Sequence, residues 1–430
     1  MRTKKGVIVL LLCVFAINGW AQERLSLSLE DARTYALRYN RTLKNAGLSI
    51  QQAQSAMWQS ISQGLPQIQV SGTYSNSLGE AGNFTLMGTN FPVKFGNTGS
   101  VTMQVNQMIF NGSYWVGLQL AKLNRQIAET SKRKSEQDVI QQVSASYNSI
   151  LVSERTTELL KQNRTNLKDI HIRTQAMVNA GAGTQTDADQ IEVQLSSIEN
   201  MISSNERQTE LAYNMLRIQL GVTANTSIVL KDSLPSLVNT DKALPLLGEK
   251  LNLDQNPSMQ LSQKQLEVSR EQIKLQKASW LPAISGYYSY TYKYIIPLMN
   301  ISPANLLGIQ ASWPLFSSGG TLSKIKQAKL QVQVNENSLA SLRDQLLVQE
   351  QQDRFNLTNA LEKLATQTKS LEVANRVFAD ISRKHDHGMA SSLDITTASN
   401  NVLQVQTNYV TALYDVLTAK TDLEMLLNKF

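Results

Sequence analysis

At 430 residues the chain would ordinarily divide into two or three domains. Yet aromatic residues make up only 6% of it, and its middle is thick with Gln, Asn, Ser and Thr, which suits a long thin-walled structure better than compact cores. The formal charge is +7, of which Arg2, Lys4 and Lys5 supply three, so the remainder carries a mild +4 without a basic run. Nucleic-acid binding is not favoured.

The first residues read as an address. Arg2, Lys4 and Lys5 precede the apolar stretch Val7 to Ile17, and Gly19-Trp20-Ala21 offers small residues for cleavage after Ala21. Residues 1–21 are therefore expected to be a signal peptide, and the protein exported. The single cysteine, Cys13, falls inside it. The mature chain is then without disulfide, thiolate nucleophile or zinc–cysteine site. Beyond the leader no apolar run approaches the 18 residues of a transmembrane helix.

The remainder is a tandem duplication. Leu65-Pro66 recurs as Leu281-Pro282 and Asn40-Arg41 as Asn256-Pro257, both 216 residues on. Ile109-Phe110 recurs as Leu315-Phe316, 206 residues on, and Gly181 with Asp187 recurs as Gly388 with Asp394, 207 residues on. One insertion of about ten residues accounts for the change of register. The expected units are 22–222 and 243–430, with a linker at 223–242.

Each unit reads helix, strand, strand, helix, helix. A helix is expected over about 28–62, opened by Ser28 and Asp31 as a capping box and stopped by Gly64-Leu65-Pro66. Period-two alternation then predicts strands at about 66–75, where Ile68, Val70, Gly72 and Tyr74 share a face, and at about 100–109. The second unit repeats this at about 283–294, with a ladder of Tyr288, Tyr290, Tyr292 and Tyr294. Another strand follows at about 306–315, where Ile309, Ala311, Trp313 and Leu315 alternate with polar residues.

Helices are expected over about 113–179 and 186–219. Ile140, Val143, Tyr147 and Ile150, then Leu160, Leu167, Ile170 and Met177, keep heptad-like spacing. Val402, Tyr409, Leu413, Val416, Leu423 and Leu427 do the same in the second unit. At 1.5 Å per residue the first long helix would measure ~100 Å, and its flanking helices roughly half that. Strands with one apolar and one polar face suit a barrel wall between lipid and water, although a soluble sheet packed on helices would show the same pattern. Four strands cannot close a membrane barrel, and edges cannot stay open in lipid, so such a barrel needs several chains.

Three motifs then carry a family likeness. Leu27-Ser28-Leu29-Glu30-Asp31-Ala32 with Ala36-Leu37 and Asn40 resembles the opening of TolC-like outer-membrane efflux proteins. Trp313-Pro314-Leu315-Phe316 running into Gly319-Gly320 resembles their strand-to-helix junction, and Gly388, Leu393-Asp394-Ile395 and Ala398 resemble their periplasmic tip. The resemblance implies an α plus membrane β-barrel fold: a homotrimer whose twelve-stranded barrel, set in outer-membrane lipid, continues as an α-helical coiled-coil tunnel through the periplasm. It further implies a passive exit duct of a tripartite efflux or type I secretion system, coupled by a periplasmic adaptor (a membrane fusion protein) to an inner-membrane transporter. A structural coiled-coil periplasmic or cell-surface protein without channel activity is the alternative, and it leaves the four strands unexplained.

At the tip, Gly181, Asp187, Asp189, Gly388 and Asp394 are the expected gate and adaptor-contact residues, with threefold symmetry gathering Asp394 into a ring. Asp394 equally suits a helix N-cap after Ser391-Ser392. Of the family's latch positions, occupied here by His385, Ala390, Asp394 and Thr397, only the aspartate is kept. His385-Asp386-His387 reads as a solvated turn rather than a metal site, and Gly181-Ala182-Gly183-Thr184 as a turn between helices rather than a phosphate loop. No catalytic set, cofactor site or metal site is expected, and the loop at about 76–99 is expected to face outside the cell.

Overall fold

The computed structural model describes residues 24–76, 83–92, 96–238, 243–296 and 302–429. The expected signal peptide lies outside them, as do parts of the 76–99 loop. In chain order the elements are β1 (Arg24–Leu27), α1 (Leu29–Tyr39), α2 (Arg41–Ser62), β2 (Gln67–Ser75), β3 (Asn83–Leu86), β4 (Thr89–Pro92), β5 (Thr98–Asn111), α3 (Gly112–Asn179) and α4 (Gln185–Leu220). There follow β6 (Ser227–Leu230), the short α5 (Leu234–Leu237), 3-10 turns at Leu244–Gly248 and Leu253–Gln255, α6 (Pro257–Ala278), β7 (Ala283–Ile295), β8 (Asn305–Ser312), α7 (Gly320–Asp386) and α8 (Ser392–Leu426). Matching helices of the two repeats agree in length: 22 residues in α2 and α6, 68 and 67 in α3 and α7, 36 and 35 in α4 and α8.

The chain forms two units, each built from both repeats. One gathers residues 1–46, 132–256 and 343–430, the other 47–131 and 257–342. The first is helical, and its main core mixes Val143, Tyr147, Ile150, Leu216 and Leu220 of the first repeat with Leu357, Leu413, Val416 and Leu423 of the second. A smaller core holds Leu160, Leu167, Ile170, Ile191, Ile198, Ile202 and Ile395. The heptad seams are thus where these residues lie, although Met177 and Tyr409 are only half-buried. Polar side chains interrupt the seam. Asn163 of α3 accepts from Ser399 Oγ of α8 at 2.8 Å, both buried, the kind of polar pair that fixes register between packed helices.

The second unit carries a four-stranded antiparallel sheet in the order β2-β5-β7-β8. Repeat meets repeat at the centre, where β5 pairs with β7. Separately, β3 and β4 form a hairpin within the 76–99 loop, turning at Met87-Gly88 with positive φ at both residues.

Three sequence expectations need correction. The single helix over 28–62 is two helices, because Asn40 ends α1 and starts α2. Its Oδ1 accepts from the Thr42 and Leu43 N–H groups at 2.7 and 3.2 Å, and its Nδ2 donates to the Gln219 carbonyl at 2.6 Å. The 223–242 segment is more than a linker, since β6 pairs in parallel with β1. Asp232, just beyond, accepts from the Leu29 N–H at 2.7 Å and from the Tyr147 hydroxyl at 2.9 Å. The last strand stops at Ser312, short of 315, because Pro314 has no N–H for a ladder; Leu315 and Phe316 lie exposed.

Candidate functional sites: a two-faced sheet and paired helical tips

The sheet divides its chemistry between its two faces. Register aligns Ile68, Val105, Tyr288 and Leu307 across the four strands, and Val70, Met103 and Tyr290 two residues on. This apolar face lies open: Ile68 is 70% exposed, Leu307 81% and Ile309 76%. The opposite face is a polar mesh. Ser75 and Thr98 hydroxyls are bonded at 2.7 Å, Thr102 and Thr291 at 3.0 Å, and Gln104 donates to Asn106 at 2.9 Å. Aromatic rings cover glycines on neighbouring strands, Tyr294 over Gly99 and Tyr287 over Gly308, leaving no room there for a Cβ. The outer edges of β2 and β8 have no strand partner among the described residues.

The second candidate site is the pair of helical turns in the other unit. Both long helices end in the same way. Gly181 (φ +76°) and Gly388 (φ +71°) take the left-handed conformation. Ala182 N–H reaches the Met177 carbonyl at 2.8 Å and Met389 N–H the Lys384 carbonyl at 2.8 Å, so each is a Schellman cap. The next helix starts alike in both repeats. Thr184 caps α4, with Asp187 accepting from the Thr184 N–H at 3.1 Å and its hydroxyl at 2.6 Å. Ser391 caps α8, with Asp394 accepting from the Ser391 N–H at 2.9 Å and its hydroxyl at 2.7 Å. Asp394 therefore stands at the third helical position of a capping box and Ser391 is the N-cap, which corrects the expectation of an aspartate cap. The Ser391 N–H and hydroxyl hold the Asp394 carboxyl below its ordinary range. Those of Thr184 do the same for Asp187, with lesser help from Ser392 and His385. Asp189 accepts from Gln185 at 2.8 Å.

The two turns are tied to each other. Arg173 of α3 bridges to Asp386 of α7 at 3.4 Å, and Gln194 of α4 donates to Asn400 of α8 at 2.6 Å. Between them His385 is 4% exposed. It closes α7 from inside instead of sitting in a solvated turn, and burial lowers its pKa, opposed by Asp386 and Asp187. A charged His-Asp-His run looks like surface, and nothing in its pattern marks this burial. The structure thus brings Asp187 beside the second turn, whereas Asp394 bonds within its own cap. Among the described residues no group of three or more His, Cys, Asp and Glu could hold a metal ion, and no helix is long and apolar enough to cross a membrane.

An amphipathic sheet with open edges, joined in one chain to duplicated hairpins of very long helices, defines a class of channel protein in which strands form a barrel wall and helices a tunnel. Residues 33–222 and 250–429 match the sequence profile of the family described as outer membrane efflux protein. The chain belongs to that family. It is 23% identical over 407 residues to the proteases secretion protein PrtF of Dickeya chrysanthemi, covering 91% of this chain and 85% of PrtF. It is 22% identical over 410 residues to the outer membrane efflux protein BepC of Brucella suis biovar 1 (strain 1330), covering 93% and 84%. Among solved structures, the outer membrane protein VceC of Vibrio cholerae superposes with a TM-score of 0.76 at 15% identity, over 93% of this chain and 95% of VceC.

Proposed function

We propose that the chain is the outer-membrane exit duct of a tripartite efflux or type I secretion system, a passive conduit and not an enzyme. The observation that carries this is the sheet, apolar and exposed on one side, polar on the other, with two edges that have no strand partner among the described residues. In lipid each edge must find a strand, and the smallest membrane barrels need eight. Copies of this chain supply them, and three copies give a twelve-stranded wall. The wall continues into a helical tunnel in the periplasm, and the turns at Gly181 to Asp189 and Gly388 to Asp394 form its far tip. There they meet a periplasmic adaptor and, through it, an inner-membrane transporter. The relatives' names, one for protease secretion and one for efflux, support both kinds of system.

Native mass measurement in detergent should give three chains, and the assembly should conduct in a planar bilayer. A stable monomer that conducts would sink the barrel. In the trimer three Asp394 carboxylates ring the opening, and like any aspartate not raised in pKa they are charged at neutral pH. Such rings prefer cations and bind trivalent ones. Asp394→Ala should therefore reduce cation preference and weaken block by a trivalent cation; unchanged conductance would leave Asp394 as a capping residue alone.

A further inference from the structure

Two helices of the first unit each carry a second stripe in heptad rhythm, turned away from their buried one. On α4, Met201, Ser204, Gln208, Leu211, Met215 and Ile218 follow at steps of three and four, and all six are exposed, Ile218 by 68%. On α7, Phe355, Asn359, Glu362, Thr366, Lys369 and Val373 do the same, Phe355 by 60%. The other sides of these helices are already occupied. Asn205 of α4 donates to the Ser153 carbonyl of α3 at 2.6 Å, and Lys363 of α7 bonds to Asp415 of α8 at 2.8 Å. A 3–4 rhythm sustained along an exposed face is the mark of a helix seam, and large apolar side chains left open along it mark an interaction surface.

The two stripes match level for level. Each hairpin turns at its glycine, Gly181 or Gly388, and rotation about an axis along the helices keeps all turns at one height. Counted from its turn, Val193 stands 12 residues along α4 and Val377 11 along α7. Ser204 stands at 23 and Thr366 at 22, Met215 at 34 and Phe355 at 33. Arg207 and Glu362 both stand at 26, roughly 39 Å from the turn at 1.5 Å per residue. Neither makes a salt bridge among the described residues, whereas their sequence neighbours Glu206 and Lys363 are paired within the chain, to Lys161 at 2.7 Å and Asp415 at 2.8 Å. Apolar thus meets apolar towards both ends, hydroxyl meets hydroxyl between, and cation meets anion.

We propose, resting on the duct reading for the rotation axis, that α7 of one copy packs antiparallel along α4 of the next, with Glu362 pairing to the partner's Arg207. The contact joins two different faces, so repeating it closes a ring and leaves neither stripe open in any copy. Phe355 and Val348 then cover the upper end of α4 at Met215 and Ile218, and Val377 covers Val193 near the tip.

The described residues contain no cysteine, so introduced pairs can be read cleanly. The double variant Arg207→Cys/Glu362→Cys, treated in detergent with a short bis-maleimide, should give a covalent ladder of dimers and trimers, and each single variant should stay monomeric on a denaturing gel. Arg207→Cys/Val348→Cys, offset by ~20 Å along the helices, should link several-fold less. Reversing either charge, by Arg207→Glu or Glu362→Arg, should lower the trimer fraction at high dilution several-fold, and the double reversal should restore it. Native mass measurement counts the copies independently. Trimers in which the double-cysteine chain does not link, or in which Arg207→Cys alone links equally well, would overturn the proposal and leave the duct standing. A chain that stays monomeric would overturn both. Met215→Cys and Phe355→Cys reacting with maleimide as fast in the trimer as in the urea-unfolded chain would also overturn it, leaving the stripes to a different partner.

Discussion

At the scale of single residues, the chain repeats one device three times: a hydroxyl cap answered by an aspartate three positions on, at Ser28 and Asp31, Thr184 and Asp187, and Ser391 and Asp394. Each aspartate lies below its ordinary pKa because the cap donates to it. A depressed folded value means that its contribution is present above the unfolded value of 3.8 and is lost as pH falls through the folded one. Hydrogen exchange at 182–190 and 389–397 should therefore accelerate together below about pH 4 and nowhere near neutrality. Ser391→Ala should cost about 1 kcal/mol at neutral pH, read by thermal unfolding. Glycines divide more sharply. Gly221 has φ +74° and lies so close to the Tyr39 carbonyl that an added Cβ would stand 2.4 Å from its oxygen, whereas nothing approaches Gly388. Gly388→Ala should thus cost roughly the 1–2 kcal/mol of a left-handed alanine. Gly221→Ala should cost visibly more in the same measurement, because backbone must move.

At the scale of elements, what could be read beforehand was whatever repeats. The heptad spacing of Val143, Tyr147 and Ile150 and the alternation of Ile68, Val70 and Tyr74 follow from periods of 3.5 and 2, so the long helices and the strands announce themselves. β1 and β6 do not, because four residues each is too short for a period, and neither is stable without the other. Asn40 shows a second limit. Its residue type suits a helix interior poorly, yet its role as simultaneous end and start depends on the Gln219 carbonyl, 179 residues away. His385 shows a third, for the charges that act on it in its buried place, those of Asp386, Arg173 and Asp187, are gathered from three helices.

One element was invisible for the same reason. The segment before α6 is pinned to α7 by Arg354, whose guanidinium donates to the Leu246, Leu247 and Glu249 carbonyls while Glu350 holds it in place. Only a planar fork reaches several carbonyls at once. Arg354→Lys should therefore raise exchange rates in 244–251 several-fold while α7 itself stays protected. Equal protection in that segment would show that the apolar contacts of Leu246 hold it alone.

At the scale of the whole molecule, the topology is open to direct test. An epitope tag in the 76–99 loop should be detected on intact cells if that loop faces outward, and only after permeabilisation if the orientation is reversed. The tip residues should then be reachable from the periplasm alone. The order β2-β5-β7-β8 also has a consequence in time. β5 leaves the ribosome long before β7, with residues 112 to 282 between them, and Tyr147 precedes its core neighbours Leu357, Leu413 and Leu423 by a wider gap still. Until the second repeat arrives, the first presents a bare strand edge and an apolar stripe, the state in which chains aggregate. Biogenesis must therefore hold the early half unfolded or covered. Depleting holding chaperones should reduce the yield of this chain far more than that of a protein whose repeats each close on themselves.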